Sequence, residues 1–322
     1  MTTLTFADVR AAAARIAGYV HRTPVLTSRT LDREIGATVF CKCENLQKVG
    51  AFKARGAVNA ILALPDDVAR AGVVTHSSGN HGAAVAYAGR ARGIPVVVVM
   101  PDDAPAVKLA AVRGYGADVV LCRRSERDAT ARAVVAQRGA TLVHPFDDPT
   151  VIAGQGTAAL ELLEEHPDLD AIFAPVGGGG LLAGVTLVVR GMGARCAVVG
   201  AEPEAVDDAY RSLRDGVRYP AVVAPTVADG LMTGLGERNY EILRQGEAEV
   251  VRVSETAILA AARFFLERMK IVVEPSSATV LAALRAVRDR FAGRRVGLIL
   301  TGGNTDLRWL AAAGVGVPSA DS

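Results

Sequence analysis

Residues 73–100 read VVTHSSGNHGAAVAYAGRARGIPVVVVM, and this stretch decides the fold. Val73-Val74-Thr75 is a short β-branched run. From His81 to about Arg92 alanines recur at helical spacing, and Pro95 to Met100 is a second apolar run. Strands with no polar face, separated by helices, are the pattern of a parallel sheet covered on both sides.

The same alternation continues outward. Pro105 opens a helix to about Arg113, and Asp118 to Cys122 is a strand. Ser125-x-x-Asp128 reads as a capping box for a helix ending near Gly139, and Thr141 to Val143 is a strand again. Next come a helix from about Pro149 to Glu165, a strand Ala171 to Ala174, a turn Gly177 to Gly180, a helix to Arg190 and a strand Ala197 to Ala201. Helices from about Thr256 to Met269 and Ser276 to Arg290, then a strand Val296 to Leu300, repeat the theme. The pattern predicts an α/β protein of two lobes with mostly parallel sheets covered by helices. Residues 75–146 form a small inserted domain, and residues 1–74 with 147–322 form a large one.

Composition narrows the function. Half of the 322 residues are apolar and 22% are charged, which excludes a disordered chain. A net charge of +2 without runs of like charge excludes a nucleic-acid partner. Four cysteines in so long a chain fit reduced thiols, and the charged N-terminus lacks the apolar core of a signal peptide, so the expected location is the cytoplasm. The 19 uncharged residues from Ala171 to Val189 are long enough to span a bilayer. Pro175 and four glycines break them, so no membrane segment is expected there.

The chain holds 31 arginines and only five lysines. What separates the two is deprotonation, since a buried lysine amine can form a Schiff base and a guanidinium cannot. Lys53 lies among small residues in Gly50-Ala51-Phe52-Lys53-Ala54-Arg55-Gly56-Ala57, where a helix begins, a fitting pocket for an uncharged amine. Gly177 to Gly180 offer bare amides at a helix N-terminus, a seat for a phosphate. Gly178-x-Gly180-x-x-Ala183 with Glu202 also satisfies a dinucleotide fingerprint, so an NAD-dependent oxidoreductase is an alternative. Ser77-Ser78-Gly79-Asn80-His81-Gly82 opens a second helix, where hydroxyls and amides can grip a carboxylate. Thr301-Gly302-Gly303-Asn304 ends a strand, where open α/β sheets bind ligands.

Together these motifs, from His21-Arg22-Thr23-Pro24 to Asp306, resemble the serine/threonine dehydratase and serine racemase family, in its serine-racemase and hydroxyaspartate-dehydratase-like branch. The resemblance implies pyridoxal phosphate enzymes of fold type II, similar to the tryptophan synthase β chain, with the cofactor in the large domain. By it Lys53 is the Schiff-base lysine and Gly177, Gly178, Gly179 and Gly180 hold the phosphate. Phe52 packs on the ring, Asn80 contacts its 3-oxygen and Thr301 faces the pyridine nitrogen. A neutral hydroxyl there leaves the ring a weaker electron sink than a carboxylate would, which suits elimination.

The implied reaction dehydrates L-serine, L-threonine or threo-3-hydroxyaspartate, Lys53 removing the α-proton, to a 2-oxo acid and ammonia. Ser77, Ser78, His81 and Arg127 are implied on the substrate side, and Ser78, opposite Lys53, permits racemisation. Serine racemase is therefore the first alternative. The resemblance also implies a homodimer and a divalent cation, Mg²⁺ or Ca²⁺, held by Glu202, Asp208 and the carbonyl of Val206. β-Replacement, as in cysteine synthases, goes with a different lysine motif. No C-terminal regulatory domain is expected after the Thr301 loop. Ala83, Val49 and the serines of Glu274-Pro275-Ser276-Ser277 depart from the usual pattern near the substrate end.

Overall fold

A computed structural model describes residues 4–312 except 78 and 105, and in it the chain builds two sheets. The strands are β1 (Val25–Leu26), β2 (Thr38–Cys43), β3 (Val73–His76), β4 (Val96–Pro101), β5 (Asp118–Cys122), β6 (Thr141–Leu142), β7 (Ala171–Pro175), β8 (Ala197–Pro203), β9 (Glu249–Val253) and β10 (Arg295–Leu300). Six run in the order β1-β2-β10-β7-β8-β9 and four in the order β5-β4-β3-β6. Every pair is parallel except β1 on β2.

The absence of a polar face in these strands has its cause in the layers around them. In the larger sheet Phe173 and Leu298 face the helices Glu255–Phe264 and Pro275–Ala286, while Ile172 and Ile299 face Pro149–Glu165 and Gly180–Gly191. In the smaller sheet Val97 and Val99 face the helix Arg127–Arg138, while Val96 and Val98 face Asn80–Arg92. Each fully buried valine stabilises by about 1.5–3 kcal/mol relative to exposure, so the run Val96–Val99 is enough to hold β4 at the centre.

The helix Lys53–Ala63 lies between Asn80–Arg92 and Pro149–Glu165 and so joins the two layers. A Cβ on Gly154 would stand 2.6 Å from the Gly56 Cα and from the Arg55 carbonyl oxygen. Glycine there lets the two helices touch backbone to backbone, which fixes where Lys53 emerges.

Some local expectations give way. The capping box does not form, because Arg124–Glu126 wind as a 3₁₀ turn and the helix begins at Arg127, leaving Ser125 one residue short of the capping position. The long helix expected from 256 to 269 is α-helical over Glu255–Phe264 and widens into a π turn over Phe265–Met269. Pro105 lies outside the described residues. A division of the chain at residue 75 would cut β3, which starts at Val73. Among the described residues no helix is long and apolar enough to cross a membrane.

Candidate active site

Two distant stretches are laced together around Lys53. Phe52 N donates to Thr301 O at 2.9 Å, Gly303 N to Gly50 O at 3.0 Å, and Asn304 Nδ2 to Val49 O at 2.8 Å. Val49 takes φ 57°, a left-handed backbone costly for a β-branched residue, and the Asn304 amide holds its carbonyl there. This lacing brings the end of β10, with the buried Thr301, to the start of the helix Lys53–Ala63.

Lys53 Nζ donates to Pro145 O at 2.7 Å and lies 5.2 Å from the Phe52 ring centre. Burial lowers its pKa to about 8, against the opposing pull of Glu274. Glu274 is itself buried, and burial together with Asp229 pushes its carboxyl up to about 7. Asn80 Nδ2 donates to both Glu274 oxygens, at 2.9 and 3.2 Å, and Asn80 Oδ1 accepts from Asn304 Nδ2 at 2.9 Å. His81 is buried, and no side chain among the described residues hydrogen-bonds its ring nitrogens. Burial, helped by Lys53, keeps it neutral.

The glycine turn sits between β7 and the helix Gly180–Gly191. No acceptor for the amides of Gly177, Gly178, Gly179 or Gly180 is found among the described residues. Gly179 adopts φ 85°, and a Cβ on Gly178 would collide with the Phe146 ring. Two hollows of ≈ 280 and ≈ 330 Å³ open beside Glu274 and Asn80, and both are lined by Lys108, which pairs with Asp229. Val49 and Ala83, two of the departures from the family pattern, line the larger.

The remaining expected residues fall in different places. Ser77 Oγ accepts from Gly79 N at 3.1 Å, closing the turn before the helix Asn80–Arg92. Ser78 lies outside the described residues. Arg127 begins its helix with Nε buried and without a partner among the described residues, on the side where His76 stacks edge-on against His144 at 5.3 Å. Glu202 and Asp208 meet at the start of the helix Asp208–Asp215. Ala209 N and Tyr210 N donate to Glu202 at 2.9 and 2.8 Å, and Leu235 N donates to Asp208 at 3.0 Å. Burial pushes Glu202 up to about 8 and raises Asp208. The arginines nearby, Arg211 and Arg252, pair with Asp207 instead.

The family of pyridoxal-phosphate dependent enzymes matches residues 16–302. The chain belongs to that family. An L-threo-3-hydroxyaspartate ammonia-lyase from Pseudomonas sp is 48% identical over 93% of this chain and 95% of its own length. The crystal structure of serine racemase from Dictyostelium discoideum is 46% identical with a TM-score of 0.90, covering 95% of this chain and all of that one. The crystal structure of a T.th. threonine deaminase is 46% identical with a TM-score of 0.88, covering 94% of this chain and 99% of that one.

The residues present fit pyridoxal phosphate. An amine with a lowered pKa bonds the Pro145 carbonyl, and the next residue, Phe146, packs on a turn whose four amides lack acceptors among the described residues, at the N-terminus of a twelve-residue helix. An amine for an aldehyde and bare amides for a phosphate suit the cofactor. The family match sets aside the nicotinamide reading. For a cation, two buried carboxylates without a basic partner are suitable donors. Among the described residues no group of three or more His, Cys, Asp or Glu is arranged for a metal, so main-chain oxygen such as that of Val206, in the turn Glu204–Val206, would have to complete it.

The sequence reading missed Pro145, Phe146 and Asn239, and noticed only the serines that follow Glu274. For Pro145 and Phe146 the one signal was the run His144-Pro145-Phe146-Asp147-Asp148, whose Asp148 caps the next helix by accepting from Thr150 N and Val151 N.

Proposed function

We propose that this enzyme is an ammonia-lyase that converts a small 3-hydroxy amino acid into a 2-oxo acid and ammonia, with L-serine, L-threonine and threo-3-hydroxyaspartate as candidate substrates. The observation that carries the reading is Lys53, a desolvated amine 2.7 Å from the Pro145 carbonyl, next to Phe146, which packs on the glycine turn whose amides have no acceptor among the described residues. The Pseudomonas and T.th. relatives, named for ammonia release and deamination, support it.

When bound, pyridoxal phosphate withdraws electrons from the substrate's Cα. Lys53 would hold the cofactor's aldehyde carbon, and its low pKa would suit it to take the Cα proton near neutral pH. Gly177 to Gly180 would hold the phosphate, Phe52 the ring face, Asn80 the 3-oxygen and Thr301 the ring nitrogen. Ser77, Ser78 and His81 take the substrate carboxylate, and Arg127, with its free Nε, suits a second one. Glu202, Val206 and Asp208 hold a structural divalent cation. We place the enzyme in the cytoplasm as a homodimer, a setting in keeping with its four free cysteines.

The similarity to serine racemase supports a second reading, an isomerase using Lys53 and Ser78. One experiment separates them: 2-oxo acid release and chiral inversion are followed together with serine, threonine and threo-3-hydroxyaspartate. The lyase reading predicts more oxo acid than inverted amino acid, and inversion without oxo acid overturns it. Ser78→Ala should spare oxo-acid release and suppress any inversion.

A further inference from the structure

Asn239 is fully buried in the first turn of the helix Glu237–Gln245, and its carboxamide lies between the two loops that meet at the site. Nδ2 donates to Gly178 O at 2.6 Å and to Phe146 O at 3.0 Å, while Oδ1 is buried with no partner among the described residues. A buried acceptor left unpaired is costly, so the position is held for what the nitrogen does. Gly236 N adds a second donor to Gly178 O at 3.1 Å, and Asp147 accepts from Glu237 N and Arg238 N at 3.1 and 3.2 Å. The glycine turn, the loop after β6 and the start of this helix thus form one joint.

The peptide between Gly178 and Gly179 is trans, so its N–H points opposite to its carbonyl. With Gly178 O pinned toward Asn239, Gly179 N–H must point away from it. Gly179 allows the close approach, since a Cβ there would stand 3.0 Å from the Asn239 Cβ. The other carbonyl that Asn239 holds, Phe146 O, is one residue after the Pro145 carbonyl that receives Lys53.

We propose that Asn239 is a positioning residue for the cofactor phosphate. Its single donor group aims the Gly179 amide at the phosphate and fixes the glycine turn relative to the loop that receives Lys53. This rests on the assignment of Lys53 and the glycine turn to pyridoxal phosphate.

The test compares two aldehydes that differ only in the phosphate. Protein stripped of cofactor is titrated with pyridoxal phosphate and with pyridoxal, following the visible absorbance of the lysine adduct and, for the former, the ³¹P resonance. Asn239→Asp keeps the shape and removes both donors. It should raise the Kd for pyridoxal phosphate about ten-fold, leave that for pyridoxal within about two-fold, and move the ³¹P line. Equal weakening of both aldehydes, or of neither, overturns the proposal. In the unaltered protein, the Asn239 side-chain ¹⁵N–¹H resonances should shift with pyridoxal phosphate and stay in place with pyridoxal, a measurement that stands even if the variant does not fold. Resonances that shift alike with both, or with neither, overturn it too. Unaltered protein that forms no lysine adduct with either aldehyde would bring down the cofactor assignment and this proposal together.

Discussion

Lys53 and Arg55 stand two residues apart on one helix and are provided for in opposite ways. Arg55 is wholly buried and every arm of its guanidinium is engaged: Glu44 at 2.7 and 2.8 Å, Glu161 at 2.7 and 2.9 Å, Thr157 at 3.2 Å and His21 O at 3.3 Å. Lys42, also buried, donates to Glu161 and Thr23 O at 2.6 and 2.7 Å, so two cations meet two carboxylates. Burial alone would raise Glu161, but Arg55 and Lys42 hold it below the ordinary carboxylate value. Among the described residues Lys53 bonds one carbonyl and no carboxylate, and the buried His81 nearby has no charged partner. Charge is compensated where the chain must hold its shape and left open where it must react.

The comparison can be broken at either end. Lys53→Ala should lower activity by roughly 10³-fold or more and abolish visible absorbance, while the thermal midpoint stays near that of the apo-protein. A variant that keeps both activity and colour ends the assignment. Arg55→Met should do the reverse, costing about 3–5 kcal/mol in urea unfolding because the buried Glu44 loses its cation and Glu161 keeps only Lys42. Full stability in that variant would show that the cluster holds nothing.

Smaller effects sharpen the contrast. A cation on Glu202 and Asp208 at a hundred times its Kd would add about 2.7 kcal/mol, so a strong chelator should lower the thermal midpoint and Glu202→Gln should remove that response. A midpoint indifferent to chelation argues for plain buried acids. Last comes pH. Only the free amine attacks an aldehyde, so pyridoxal phosphate uptake should rise with pH through about 8, far below the ordinary lysine value. Glu274 raises the Lys53 pKa, so Glu274→Gln should move that rise to lower pH. An unchanged or upward-shifted midpoint would contradict the coupling.

How much of this could be read from the chain depended on how local the cause was. β3, β4 and β7 were legible because their apolar runs are contiguous, and the glycine turn because four glycines adjoin. β2 was not, since Lys42 interrupts its apolar run and is buried only through an ion pair with Glu161, 119 residues away. Ser125 looked like a cap because spacing alone cannot distinguish an α start from a 3₁₀ turn one residue earlier. The partners of the site are equally remote: Glu274 meets Asn80 across 194 residues, and Asn239 meets Gly178 across 61. A motif fixes what a segment can do, and only the packed layers fix which segments meet.

The most direct test of the account is to reduce the pyridoxal-phosphate-loaded protein with borohydride, digest it and map the modified peptide by mass. The account predicts one phosphopyridoxyl group, on Lys53. A group on Lys42, Lys48, Lys108 or Lys270 in its place, or none at all, would contradict it.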